Sequence, residues 1–314
     1  MCTGTPPPPL RAMTCTAVGK RLVVFGGGDG PVYCDDVWVL DTVNYRWSKP
    51  AVVGVGEGPS KRRAHTACLW RNGLYIFGGG DGVRALNDVW RLDVSELASH
   101  KVSWKLISPS SGVKDDIAPA VPPKTAKRGG GKTAPDPHLK PKPRGYHTAN
   151  IVGSKLIVFG GSDGDSCFSD VWLFDITTNL WSSVSTLALP PLVPPPRDEA
   201  KAAELAKENK ASGAPRLSHT STLVGSYLFI IGGHDGVSYS SSVLCLNLVT
   251  MTWDRRKVYG HTPAGRGYHG AVLCDGRIFC VGGFDGLEVF PDVWVLELGG
   301  CSYYSQISCF SIEV

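Results

Sequence analysis

The chain has 314 residues, 42% of them hydrophobic, and a formal net charge of +4. That length supports a sizeable core. The charge is unevenly placed, because Pro109 to Pro143 holds seven lysines and arginines against three aspartates and so carries all of the +4 by itself. A neutral body with one basic stretch excludes a nucleic-acid platform. No run nears the ~18 apolar residues of a membrane helix.

In chain order, Met1 to Leu10 (MCTGTPPPPL) lacks the apolar stretch of an export signal and reads as a polyproline or disordered lead-in. From Arg11 onward one phrase is repeated five times: an apolar run, a glycine pair and a turn. The copies are RLVVFGGGDG (Arg21 to Gly30), GLYIFGGGDG (Gly73 to Gly82), KLIVFGGSDG (Lys155 to Gly164), YLFIIGGHDG (Tyr227 to Gly236) and RIFCVGGFDG (Arg277 to Gly286). About four apolar residues without polar alternation make a strand that must be covered on both faces. The glycines allow positive φ and close approach of a neighbour. The aspartates after them, Asp29, Asp81, Asp163, Asp235 and Asp285, are explained by turn chemistry.

Other residues keep register with the first glycine of each pair (Gly26, Gly78, Gly160, Gly232, Gly282). Twelve residues on stand Trp38, Trp90, Trp172, Leu244 and Trp294, in segments such as DVWVLD. Fifteen or sixteen before it stand Arg11, Arg62, Arg144, Arg216 and Arg266. Nine past the first of these series come Trp47, Trp181, Trp253 and Tyr303, while the second repeat delays its Trp104 by five. The spacing predicts four strands per repeat of about 50 residues. In the first repeat they fall near residues 12–18, 22–25, 37–40 and 45–49.

These residues resemble the kelch family of β-propellers. The glycine doublet, the aromatic of the third strand and the tryptophan of the fourth all find a match. The fold that follows is all-β, a kelch-type β-propeller with five recognisable four-stranded blades, either a ring by themselves or part of a six- or seven-bladed one. The blades cover about 11–50, 62–108, 144–186, 216–258 and 266–314, with disordered inserts at 109–143 and 187–214. Near the end, Phe310, Ile312 and Val314 alternate like one more strand.

The inserts offer three short motifs. RGGGKT (Arg128 to Thr133) fails as a phosphate loop, because Ala126 stands where that motif needs its first glycine. PLVP in the second insert matches PxxP, but Arg197 lies one residue beyond the place an SH3 ligand uses. RDEAKAAELAKENKA holds helix formers, too few for a stable isolated helix. Ten cysteines show no CxxC pair, which points to reduced thiols in a cytoplasmic or nuclear protein.

With strands lettered a to d outward from the axis, the b–c loops and d–a connections share one face. Both inserts and all length variation fall there, and loops on a rigid scaffold carry recognition. The resemblance implies a protein or peptide partner at this face. Positions that differ between repeats are the better candidates for contacting it: Tyr33, Arg84, Ser166, His234, Tyr239, Phe284 and Glu288. Arg62, Arg144, Arg216 and Arg266 would ring the mouth of the channel, either gripping a carboxylate or phosphate or serving as structural hydrogen-bond donors. His65, His147, His219 and His269 recur too, but equivalent places in different blades stand too far apart to share a metal ion.

No catalytic, cofactor-binding or metal-binding residue is expected, and the reading is a non-catalytic scaffold or adaptor. Similar proteins act in small-GTPase regulation, cell polarity or ubiquitin-ligase substrate choice; no BTB or F-box segment is recognisable here. The alternative is a metal-dependent kelch enzyme of the nitrile-specifier or galactose-oxidase type. The former needs an E-x3-D-x3-H run, where this chain has Glu288, Asp292 and then Leu296.

Overall fold

The computed structural model describes residues 2–54, 56–110, 139–188, 214–254 and 258–299. Blade 1 is built from Thr14–Val18, Arg21–Phe25, Val37–Asp41 and Arg46–Ser48. Blade 2 uses Thr66–Trp70, Gly73–Gly80, Ala85–Asp93 and Lys101–Ser108. Blade 3 uses Thr148–Val152, Lys155–Phe159, Val171–Asp175 and Leu180–Val184. Blade 4 uses Thr220–Val224, Tyr227–Ile231, Val243–Asn247 and Thr252–Asp254. Blade 5 shows Gly270–Cys274, Arg277–Val281 and Val293–Glu297 among the described residues. Within every blade the lettered strands pair antiparallel in sequence order, and strand a of each blade lies beside strand a of the next. The five sheets form a five-bladed β-propeller arrangement.

Strand b shows why the sheets stack. Side chains alternate faces along a strand, yet Leu156, Ile157, Val158 and Phe159 are all buried. Ile157 and Phe159 enter the core shared by blades 3 and 4, with Leu228, Ile230 and Trp253. Leu156 and Val158 enter the core shared with blade 2, beside Phe77 and Val89. Further clusters join blades 1 and 2 and blades 4 and 5. Each such side chain contributes roughly 1.5–3 kcal/mol by leaving water, and it leaves water only because a neighbouring sheet is present.

The glycine pair sets the spacing. Gly160 has φ +66°, and a Cβ there would stand 2.6 Å from the Arg216 carbonyl of the next blade; Gly161, at φ +94°, would meet the Gly145 carbonyl at 2.7 Å. Only a residue without a side chain fits both the dihedral and the approach.

Among the described residues, three blades carry a fifth, outermost strand absent from the sequence reading. Thr3–Gly4 runs parallel to Arg46 and Trp47 of blade 1, Ala51–Val52 to Lys101 and Val102 of blade 2, and Leu187–Ala188 to Thr252 and Trp253 of blade 4. Thr3 and Gly4, inside the stretch read as a lead-in, are therefore paired backbone, and the second insert begins two residues later than expected. Connections climb the outer edge of the blade they enter before crossing to its strand a. The first insert is also shorter: Asn87 Nδ2 donates to the Pro141 carbonyl at 2.7 Å, and Lys140 Nζ donates to the Pro109 carbonyl at 2.9 Å. The disorder, helix, phosphate-loop and PxxP readings of the inserts fall on residues outside the described ones, as do Tyr303 and the alternation near residue 310.

Candidate functional site at the mouth of the channel

The b–c loops are locked by their own aspartates. Asp81 Oδ1 accepts the Val83 and Arg84 N–H groups, both at 2.9 Å. Asp163, Asp235 and Asp285 hold their loops in the same way. Such turns fix the loop tips on the rigid stack, so the side chains there need little ordering when something binds.

Beneath the tips runs a staircase of backbone hydrogen bonds. Ala64 N–H donates to the Ala12 carbonyl, Tyr146 to Ala64, Ser218 to Tyr146 and Tyr268 to Ser218, each at 2.9 Å. Every step residue lies at φ between +54° and +58°, in the left-handed region. Ala64, Tyr146, Ser218 and Tyr268 each belong to a tetrad such as Arg144-Gly145-Tyr146-His147 whose flanking Arg and His are buried, whereas Ala12 is flanked by Leu10 and Met13.

Those arginines correct an expectation. Arg62, Arg144, Arg216 and Arg266 are buried and do not face the mouth. Arg62 spans Asp88 bidentately at 2.8 and 2.9 Å and caps the Gly78 carbonyl at 3.1 Å. Arg144 does the same with Asp170 and Gly160, and Arg266 with Asp292 and Gly282. The same carboxylates take the indole N–H of Trp90, Trp172 and Trp294. The hydrogen bonds from Arg266 and Trp294 pull the Asp292 carboxyl down to about 2. Blade 4 has Ser242 in place of the aspartate and Leu244 in place of the tryptophan. There Arg216 still caps the Gly232 carbonyl at 2.9 Å but meets the Ser242 hydroxyl, at 3.2 Å, in place of a carboxylate, and desolvation lowers it to about 10. In blade 1 the place belongs to Leu10. Arg11 is one position later, exposed and 3.5 Å from Asp29, which is why its spacing was fifteen and not sixteen.

The histidines are also interior. His65, His147, His219 and His269 each put Nε2 2.9–3.0 Å from a threonine hydroxyl of the preceding blade. Desolvation first, then a neighbouring arginine, lowers His65 and His219 to about 3 and His269 to about 4. They are neutral blade-to-blade struts.

What does face the mouth is an aromatic and basic rim around a cavity of about 450 Å³, lined among others by Tyr33, Arg63, Arg84, Tyr146, Ser162 and Asp163. The Arg63 guanidinium stacks 3.9 Å from the Tyr33 ring centroid, a contact worth about 0.5–2 kcal/mol. Tyr146 meets Tyr268 edge-on at 5.8 Å. On the blade 4–5 side His234, Tyr239 and Phe284 form a chain, at 4.6 and 6.2 Å between rings. Of the residues expected here, Tyr33 and Arg84 line the cavity, while His234, Tyr239 and Phe284 make the adjoining cluster. Ser166 and Glu288 lie exposed at loop tips, where their N–H groups close the aspartate turns. Arg63, Tyr146 and Tyr268 were missed, although they too differ between repeats. Among the described residues no group of three His, Cys, Asp or Glu side chains is placed to hold a metal ion.

The fold and this rim define the class: repeated sheets around an axis, with a loop-borne mouth. The chain belongs to the kelch-repeat family. The KLHDC2/KLHL20/DRC7 Kelch-repeats domain matches residues 1–117 and 200–311, and the Kelch motif matches residues 143–188. Curated relatives include acyl-CoA-binding domain-containing protein 5 of Arabidopsis thaliana, 25% identical over 90% of this chain and 37% of its own length. Human host cell factor 1 is 26% identical over 94% of this chain and 14% of its own. The serine/threonine-protein phosphatase BSL2 of Arabidopsis thaliana is 29% identical over 74% of this chain and 25% of its own. The chain thus spans well under half the length of each of these relatives.

Proposed function

We propose that this chain is a non-catalytic scaffold or adaptor that holds a protein or peptide partner at the mouth. One observation carries the reading: three successive blades contribute aromatic and arginine side chains to a single cavity on a hydrogen-bonded rigid frame. Rigid aromatic and arginine anchors over a desolvated hollow are the usual core of an interface. The recurring Arg62, Arg144, Arg216 and Arg266 and His65, His147, His219 and His269 are committed to the frame, so the face offers shape, stacking and the charge of Arg63 and Arg84. A cytoplasmic or nuclear setting fits the absence of a CxxC pattern in the sequence. Small-GTPase regulation, cell polarity and ubiquitin-ligase substrate choice are the roles that the family resemblance suggests.

Affinity purification with wild type and with a variant carrying Arg84→Ala, Tyr239→Ala and Phe284→Ala tests the reading. Partners retained by wild type and lost from an equally folded variant are expected. An unchanged partner set would reject the mouth as the binding face.

A further inference from the structure

Tyr33 and Tyr239 hold one position in two blades, each seven residues past the first glycine of its pair. Each ring lies against the loop of the next blade in the same way. A Cβ added at Gly82 would meet Tyr33 Cε2 at 3.0 Å, and one at Gly286 would meet Tyr239 Cε2 at 3.4 Å. Blade 2 covers Tyr33 with a guanidinium, that of Arg63, 3.9 Å from the ring centroid. In blade 5 the place of Arg63 is held by Gly267, where a Cβ would already stand 3.0 Å from Tyr239 Cε1. The two tyrosines are posed alike, and the second lacks its cation.

The surroundings of Tyr239 change to match. Arg63 bridges across to Gly80, whereas Gly267 bridges across to Phe284, so an aromatic ring is added where a guanidinium is lost. Tyr239 stands at 68° to His234 and at 75° to Phe284, a corner of upright, half-buried rings. Ring faces attract a cation. The charges change sign as well. Arg84 of blade 2 holds Nε 3.8 Å from Asp81 Oδ2, and the corresponding residue of blade 5 is Glu288. Tyr239 is raised above the ordinary tyrosine value by desolvation, then by Tyr268 and Asp285, so the Asp285 carboxylate lies within electrostatic reach of the ring. Residues 162–168, 234–241 and 284–291 hold five carboxylates and no lysine or arginine, while Arg11, Arg63 and Arg84 all belong to blades 1 and 2.

We propose that this corner binds a guanidinium of the partner, an arginine side chain laid on Tyr239 as Arg63 is laid on Tyr33. The inference rests on the mouth being the partner face, and it names what blades 4 and 5 take there. The guest's N–H groups donate to the Asp285 and Glu288 carboxylates, and its flat face covers the Tyr239 ring beside His234 and Phe284. An ammonium suits the corner less well, since it neither stacks nor forms a two-pronged pair with a carboxylate. An anionic group is repelled by Asp235, Asp285 and Glu288. Val237 and Leu287, 90% and 91% exposed on the same two loops, give apolar surface for the residues next to the guest. The mouth is thus divided: blades 1 and 2 carry their own arginines, and blades 4 and 5 take one from outside.

Two small probes test this on the 314-residue chain: N-acetyl-arginine amide and N-acetyl-citrulline amide, which matches it in shape and carries no charge. NMR of the chain with isotope-labelled tyrosine rings follows their binding, and Tyr239→Phe identifies the Tyr239 signals. Arginine is expected to shift the Tyr239 signals and to leave those of Tyr33, already covered, in place. Citrulline is expected to bind about 10-fold more weakly. Glu288→Gln, at an exposed loop tip, should weaken arginine about 3-fold and leave the melting temperature unchanged. Gly267→Arg, which copies Arg63 into blade 5, should abolish the shift; if that variant does not fold, Glu288→Gln decides. An unmoved Tyr239 in tens of millimolar arginine, equal binding of citrulline, or an unchanged affinity in Glu288→Gln would overturn the proposal. The mouth reading is judged apart from it. Partners lost from the Arg84, Tyr239 and Phe284 variant, yet kept by Glu288→Gln and not displaced by the arginine probe, would leave that reading standing and overturn this one.

Discussion

His65 of blade 2 meets Thr14 of blade 1 across the interblade seam, Nε2 to Oγ1 at 3.0 Å, with its ring edge-on to Phe25 at 5.1 Å. A charged imidazole does not suit that place. An unfolded histidine titrates near 6.5, while burial lowers His65 and His219 to about 3. Between those values the unfolded chain takes up protons that the folded chain refuses. Stability is therefore fully present above about 6.5 and falls as the pH falls toward 3, each histidine adding a slope of up to about 1.4 kcal/mol per pH unit. The lowered aspartates, such as Asp170, lose their contribution only below the ordinary carboxylate range. Urea titrations from pH 7 to pH 4 should thus give a slope that His219→Met, which copies Met13, reduces by about one histidine's share. An unchanged slope would show that the strut is not buried and neutral.

Blade 4 carries an arginine without its carboxylate. Ser242→Asp should restore the bidentate pair seen at Arg62 and Asp88, and raise stability by roughly 1–3 kcal/mol, as a charge-assisted hydrogen bond does. Chemical denaturation measures it. A loss of stability would mean that blade 4 packs differently around Arg216.

The first glycine of each doublet provides a comparison between a covered and an uncovered junction. A Cβ at Gly160 would meet the Arg216 carbonyl of the next blade at 2.6 Å, whereas at Gly282 it meets only the Phe290 carbonyl of its own blade, at 3.2 Å. In the 314-residue chain Gly282→Ala should cost about 1–2 kcal/mol, the price of a left-handed alanine. Gly160→Ala should cost at least twice that, since the neighbouring blade must move as well. Equal costs by thermal melting would contradict the packing.

The two tryptophans of blade 3 are expected to differ. Trp181 is buried against Phe77 and Phe174, at 4.9 Å from each, whereas Trp172 is half-buried and spends its N–H on Asp170. Trp181→Ala should cost about 3–5 kcal/mol and Trp172→Ala less, measured by the same melts. The reverse order would misplace the core of the junction between blades 2 and 3.

The doublets, the DVW segments and the spacing between them made the sheets legible, because burial on both faces and positive φ leave marks in residue type. The parallel edge strands left none. Thr3–Gly4 and Ala51–Val52 are two residues long, too short for any period to appear. The arginines were legible as a series, and of the two roles read for them they take the structural one, but only the structure shows that Asp88 and Asp170, twenty-six residues later, hold them. Tyr146 and Tyr268 went unnoticed because they sit between residues that recur, although their variation from repeat to repeat was the same signal that singled out Tyr33 and Phe284. Arg11 shows the limit of counting, since one residue of slippage gave a surface arginine the place that Leu10 occupies.

The measurement that bears most directly on the account is hydrogen–deuterium exchange of this protein with and without a captured partner. Binding at the mouth predicts slower exchange in residues 28–36, 80–87, 162–168, 234–241 and 284–291, together with the Arg63, Tyr146 and Tyr268 tetrads. Slowing confined to the opposite-face turns at Gly19, Arg71, Gly153, Gly225 and Asp275, with the mouth unchanged, would contradict it.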